Sequence, residues 1–527
     1  MSNRVQLTIK ERLARYHPVE FKPSLQHLSS NQRLAVTKLV QASAILDTLY
    51  MQQAWSKNAE LHTALKQDPT KKDELLFFEL SKGPWDRILN NEPFLDDVPP
   101  RPLGGNFYPE DMTRDEYSAW LATLSKEEAK KAAGFYHVIR RTPSGRLVHV
   151  PYSEAYRQPL TSASDLLHEA AHLVENASLK DFLLKRATSF WTNEYVSSEL
   201  AWLAIDDTSP IEVTCGPYEV YTDALYAAKA AFESYVHLRD FDSSDLLKKF
   251  GKALQDIERH LPVPDEYKNP DLKATPIVVV NQLYAGGDVA VPMTAAYNLP
   301  NDEEAIQRGG SKLVIIKNVQ QAKFEHILKP IASIVLAPEQ LKYLEFEAFF
   351  THILLHEVSH SNGPHYVIGP GHGPVRSHLQ EFHSAMEEAK ADITGLFAAA
   401  YLSKKGVIHG ISMKAFYVTF LASAFRSIRF GLEEAHGLGQ AAQLNYLVEC
   451  GAFECVNGRF CVNFFKVEKG VEQLTHDILL LQGNGDKAVV KTWLAKYGVL
   501  SPEVAALLDQ LREKQVPVDI RPIYHTL

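Results

Sequence analysis

Apolar side chains recur along residues 30–67 at steps of three and four, through Leu34, Val36, Leu39, Val40, Ala44, Ile45, Leu49 and Met51. That spacing gathers them on one face and predicts a pair of amphipathic helices. The same period returns over residues 340–361, 376–403, 411–434 and 439–451, before Gly/Asn turns near 457 and 483–485. Runs rich in β-branched residues, RLVHVP (146–151), IVVVNQL (277–283) and KLVIIKN (312–318), predict short strands within the mostly helical chain. Residues 92–110 hold five prolines and two glycines, which interrupt both periods and predict an extended connector with Phe94, Leu95, Phe107 and Tyr108 turned inward. The expected class is α+β, mainly helical.

Length and composition narrow this picture. At 527 residues the chain exceeds one ordinary domain of about 150 residues, so several lobes are expected. Hydrophobic residues at 45% and charged residues at 23% are those of a folded globular protein. A net charge of −9 speaks against a broad footprint for nucleic acid or an anionic membrane. The four cysteines, Cys215, Cys450, Cys455 and Cys461, form no C-x-x-C pair, which points to a reducing, cytoplasmic setting. Met1–Ser24 lacks the apolar stretch of a secretory signal, and no apolar run approaches the roughly 18 residues that span a bilayer.

The candidate chemistry centres on His356-Glu-Val-Ser-His360, an H-E-x-x-H pattern within a helical segment. One helical turn separates the two imidazoles, so both can grip one Zn²⁺, while Glu357 can take a proton from an attacking water. A second copy, His168-Glu169-Ala-Ala-His172, is followed some twenty residues on by Asn193-Glu194. The helix beyond His360 carries Glu381, His383, Glu387, Glu388 and Asp392, and a helix, loop, antiparallel helix would return a carboxylate to the metal. This favours the His356 site and leaves the His168 site open. Glu387 and Glu388 point about 100° apart on a helix, so one can ligate while the other orients an imidazole. His365, His372 and His383 are lesser candidates, more simply read as solvated or hydrogen-bonded histidines.

Seven stretches, GPWDR (83–87), NFYPEDM (106–112), GPYEVYTDALYAAKAAFE (216–233), YNLPNDEE (297–304), HEVSHSNGPH (356–365), EEAKAD (387–392) and VPVDI (516–520), occur in an order that resembles the dipeptidyl peptidase III family of zinc exopeptidases. The resemblance is nearest to the peptidase-like half of the plant Nudix hydrolase 3 fusions. It implies a two-lobed fold with a wide cleft, a helical zinc lobe and a mixed lobe with a small β-barrel-like core. By analogy residues 1–238 open the mixed lobe, 239–282 begin the zinc lobe, 283–328 return strands to the mixed lobe, 329–514 complete the zinc lobe, and 515–527 return to the mixed lobe. One Zn²⁺ per chain is implied, held by His356, His360 and Glu388, with Glu387 and Asp392 behind the imidazoles. Glu357, Tyr221 and His436 are implied as catalytic residues, and Glu219, Asn298 and Asn301 as the holders of a peptide's free ammonium group. The His168 copy falls on a structural helix.

Typical members place one more residue between the two histidines, whereas this chain has the four-step spacing of the Nudix-fused branch. The Glu-rich Nudix signature itself is not found, so nucleotide diphosphate hydrolysis is not expected. The expected activity is release of dipeptides from the N-terminus of short peptides, with a non-catalytic peptide-binding homologue or a zinc hydrolase of another amide or ester as rivals. The expected partner is a short peptide, without nucleic acid or membrane, and oligomeric state is left open.

Overall fold

Ser29 accepts a hydrogen bond from the Gln32 backbone N–H, and the Gln32 side chain accepts one from the Ser29 N–H, a reciprocal cap that starts the long helix α1 (Ser30–Ala54). Its buried stripe runs through Ala35, Val36, Leu39, Ala42, Leu46, Leu49 and Tyr50, and a break near Trp55 leads into the second expected helix, Asn58–Gln67. The computed structural model describes residues 7–269, 272, 276–369 and 371–524. The start of the Met1–Ser24 segment, the end of the 515–527 tail and Pro370 of the loop after His360 lie outside the described residues.

The chain divides into two units. The first comprises Met1–Asp240, Val278–Val319 and Asp519–Leu527. Seven of its strands are β1 (Tyr16–Phe21), β2 (Ile211–Glu219), β3 (Ala231–Arg239), β4 (Ile277–Gly287), β5 (Ala296–Leu299), β6 (Lys312–Ile316) and β7 (Asp519–Tyr524), and a separate hairpin pairs His137–Arg141 with Leu147–Pro151. β1 pairs in parallel with β7, Tyr16 opposite Asp519. The main sheet has the order β2-β3-β4-β6-β5, with β2 antiparallel to β3 and β3 antiparallel to β4. Helix α1 packs on β3 and on helix α2 (Arg157–Leu173).

The expected small barrel is not formed. The sheet is open among the described residues, with β2 and β5 at opposite ends. All nine residues of β3 and the first eight of β2 are buried, so both faces of these strands are covered and the sheet is an internal layer. Buried charge helps fix its register: Glu212, fully buried, accepts from Arg239 at 2.5 Å and from Lys312 at 2.7 Å. Removing one partner would strand a desolvated charge, at a cost of about 3–5 kcal/mol.

The second unit comprises Phe241–Ile277 and Gln320–Val518 and is mostly helical. Its centre is built from α3 (Phe346–Ser359), α4 (His383–Lys404), α5 (Met413–Ile428), α6 (Ala435–Glu449) and α7 (Val467–Asn484). The helical pattern expected over 376–403 is interrupted: a short helix, Val375–Leu379, and one 3₁₀ turn precede α4, because Gln380 takes a left-handed φ of 51°. α4 packs against α3, α6 and α7 and is buried along most of its length. Such a helix can carry Lys390 and Asp392 only if each is paired.

The 92–110 connector is a loop with one two-residue pairing, Trp85–Asp86 against Glu92–Pro93. Phe107 and Tyr108 are buried, and Phe94 and Leu95 are half-buried against the Met51, Leu65 and Phe78 cluster. No described helix is long and apolar enough to cross a membrane.

Candidate metal centre

Phe349, Phe350, Leu354, Leu355 and Val358 bury one side of α3 and fix its rotation, which leaves His356 and Glu357 on the turn that faces the site. His360 is the residue on which the helix ends, its N–H bonded to the His356 carbonyl. α4 returns antiparallel to α3: His352 bonds the Asp392 carbonyl, His356 meets Asp392 and Glu388, and His360 meets Glu387. Gly395 lets the helices approach this closely, since a Cβ there would stand 3.0 Å from the His356 nitrogen.

Three ligand atoms converge. Nε2 of His356 and Nε2 of His360 are 3.2 Å apart, and Oε2 of Glu388 lies 3.3 Å from the first and 3.8 Å from the second. Tetrahedral zinc with bonds of about 2.0–2.1 Å separates its ligand atoms by about 3.3 Å. The Glu388 oxygen is buried and accepts no hydrogen bond among the described residues. Lone pairs and a carboxylate oxygen aimed at one point repel one another unless a cation lies between them, so the donor set fits zinc. His356, Glu357 and His360 alone also bring one ligand atom each within 4.8 Å of the others. The Glu388 oxygen faces both Nε2 atoms, so it can take the third position with Glu357 beside the site.

The opposite ring nitrogens are held from behind. Nδ1 of His356 donates to Asp392 at 2.8 Å, and Nδ1 of His360 donates to Glu387 at 2.9 Å, which leaves each Nε2 as a lone pair. Asp392 is itself gripped by Gln440 at 2.5 Å and Gln443 at 3.3 Å, and Glu387 by Lys390 at 2.8 Å and Gln482 at 3.1 Å. Burial alone would raise both carboxyls, but the His356 imidazole holds Asp392, and Lys390 with His360 holds Glu387, well below the usual carboxylate range. Both stay ionised at neutral pH. No sequence motif marks the two amides on α6 and the one on α7, since glutamines at such positions carry no local pattern.

His436, on α6, is exposed and places Nδ1 3.2 Å from Oε2 of Glu388. Of the lesser candidates, His365 bonds the Ser361 carbonyl and His372 the Val367 carbonyl, stacked on Tyr366. His168 and His172 lie on α2, where the intervening Glu169 pairs with Lys38 at 2.6 Å. No metal-sized cluster of His, Cys, Asp and Glu forms there among the described residues.

In the first unit Glu219 ends β2, Asn298 lies exposed on β5 and Asn301 follows it. Asn301 donates to the Tyr218 carbonyl at 3.1 Å. Burial raises the Glu219 carboxyl, and a hydrogen bond from Asn301 partly offsets this. Tyr221 is 81% exposed.

The pattern of Peptidase family M49 matches residues 110–364. The chain is also 40% identical to Nudix hydrolase 3 of Arabidopsis thaliana over 572 aligned residues, covering 98% of this chain and 74% of that protein. The chain belongs to peptidase family M49. Two solved structures share the fold of this M49 chain. Dipeptidyl peptidase III from Caldithrix abyssi is 42% identical with a TM-score of 0.93, covering 98% of this chain and 99% of its own. Dipeptidyl-peptidase III from Corallococcus sp. strain EGB is 44% identical with a TM-score of 0.78, covering 98% and 96%.

Proposed function

We propose that this M49 chain is a zinc-dependent exopeptidase that releases dipeptides from the free N-terminus of short peptides. The convergence of His356, His360 and Glu388 on one point, backed by two ionised carboxylates, carries the proposal. Zinc bound there would polarise the scissile carbonyl and acidify the attacking water. Glu357, next in sequence to His356, takes the proton from that water and returns it to the leaving amine. Tyr221 and His436 donate hydrogen bonds to the oxygen on which negative charge develops. Glu219, Asn298 and Asn301 hold the peptide's ammonium group, a carboxylate and two amide oxygens matching its three donors. The four cysteines are free thiols, which suits the reducing, cytoplasmic setting read from the sequence.

Peptides of four to ten residues, each with a free and an acetylated amino end, would test this by mass spectrometry after metal analysis of the purified protein. Dipeptide release from the free forms alone, lost on chelation and restored by zinc, is expected. Equal cleavage of acetylated peptides would remove the ammonium-binding role, and no cleavage of any peptide would remove the activity.

A further inference from the structure

Three of the sequence motifs, GPWDR, NFYPEDM and the stretch after Tyr221, contribute nothing to the metal centre. Within the first unit they converge on the turn that carries Tyr221. Thr222, buried, belongs to a closed ring of four side chains. Its hydroxyl donates to Asp288 at 3.1 Å and lies 2.9 Å from the Tyr50 hydroxyl. Arg87 donates to the same Tyr50 oxygen and, at 3.2 Å, to the other oxygen of Asp288. Each hydroxyl has one proton, so the ring runs in one direction: Arg87 donates to Tyr50, Tyr50 to Thr222, Thr222 to Asp288, and Arg87 closes it on Asp288.

The next residue is held as firmly. Asp223, fully buried, accepts from the Tyr108 hydroxyl at 2.9 Å and from the backbone N–H groups of Leu225, Tyr226, Ala228 and Lys229 at 3.0–3.1 Å. Tyr221 thus projects into solvent from a backbone whose two following residues are locked into separate buried networks. A surface tyrosine with no catalytic task needs no such fixture, because loops at the surface are ordinarily free to move.

We propose that Arg87, Tyr50, Thr222 and Asp288 act as positioning residues for Tyr221, fixing the turn from which its phenol acts. This rests on the catalytic reading of Tyr221 given above. The ring touches no substrate; it removes the freedom that Tyr221 would otherwise lose during the reaction.

Thr222→Val deletes the ring's central hydroxyl at nearly constant volume, and Thr222→Ser retains it. Steady-state kinetics on a cleaved peptide should show kcat reduced roughly tenfold in T222V, with KM within about twofold, and near-parental values in T222S. The same T222V change made in a Tyr221→Phe background should reduce kcat no further, because residues acting through one group are not additive. Equal losses in both backgrounds, or unchanged kcat in T222V, would overturn the positioning role. A Y221F enzyme with parental kcat would instead overturn the catalytic reading of Tyr221. Should T222V fail to fold, Asp288→Asn, which keeps the acceptor for Thr222 and weakens the Arg87 contact, is measured in both backgrounds with the same two criteria.

Discussion

Oδ1 of Asp392 lies 2.8 Å from Nδ1 of His356, on the side of the ring opposite the nitrogen that faces Glu388. The carboxylate selects the tautomer that leaves Nε2 free and makes that nitrogen a better donor. Its partners Gln440 and Gln443 are neutral amides, so its charge is undiminished, whereas Glu387 behind His360 shares its charge with Lys390. Asp392→Asn should therefore weaken zinc about 10–100-fold, and Glu387→Gln less. Competition against a chromophoric chelator measures both, and the reverse ranking would contradict the assignment.

Glu357 supplies no ligand atom in this scheme and acts only on protons. Glu357→Gln should retain zinc at the parental level while turnover falls by about 10²–10⁴. Metal content and kcat on one preparation decide the matter, and a loss of metal in step with activity would make Glu357 a ligand instead.

The second H-E-x-x-H pattern supplies a control. His168→Ala with His172→Ala alters a half-buried and an exposed position on α2, where Glu169 already pairs with Lys38. Zinc stoichiometry and turnover should stay within about twofold of the parent, since surface changes of this kind shift stability by no more than about 0.5 kcal/mol. Loss of a metal equivalent would relocate the site.

His237, on β3, is fully buried with both ring nitrogens unpartnered among the described residues, and burial pushes its pKa down to about 3. The unfolded chain takes up a proton at this residue near pH 6.5, the folded one not until about 3. Stability from this residue is therefore complete above pH 6.5 and is lost as pH falls toward 3. Urea unfolding between pH 4 and 7 should show a parental slope steeper than that of His237→Leu by about 1 kcal/mol per pH unit. Parallel curves would mean that His237 titrates alike in both states.

The helix of the metal centre was legible because one short motif fixes residue type, spacing and helical period together. The carboxylate was less so: Glu387 and Glu388 are adjacent, and their spacing alone could not tell the oxygen that faces two Nε2 atoms from the one that turns to Nδ1 and Lys390. In β3, polar residues at Glu233, Tyr235, His237 and Arg239 give the alternation of a half-exposed strand, yet all are buried. Arg239 finds its partner in Glu212 on β2, which also takes Lys312 from β6, and no local pattern encodes these pairings.

The parallel pairing of β1 with β7 joins Tyr16–Phe21 to a strand made only after residues 320–518, the larger segment of the metal-bearing unit, have been synthesised. A ribosome must therefore finish the inserted helical unit while the first unit still waits for its final strand. Folding in the cell is thus given an order by chain connectivity: the metal helices can close early, and the β1 edge remains uncovered until Asp519–Tyr524 have been made.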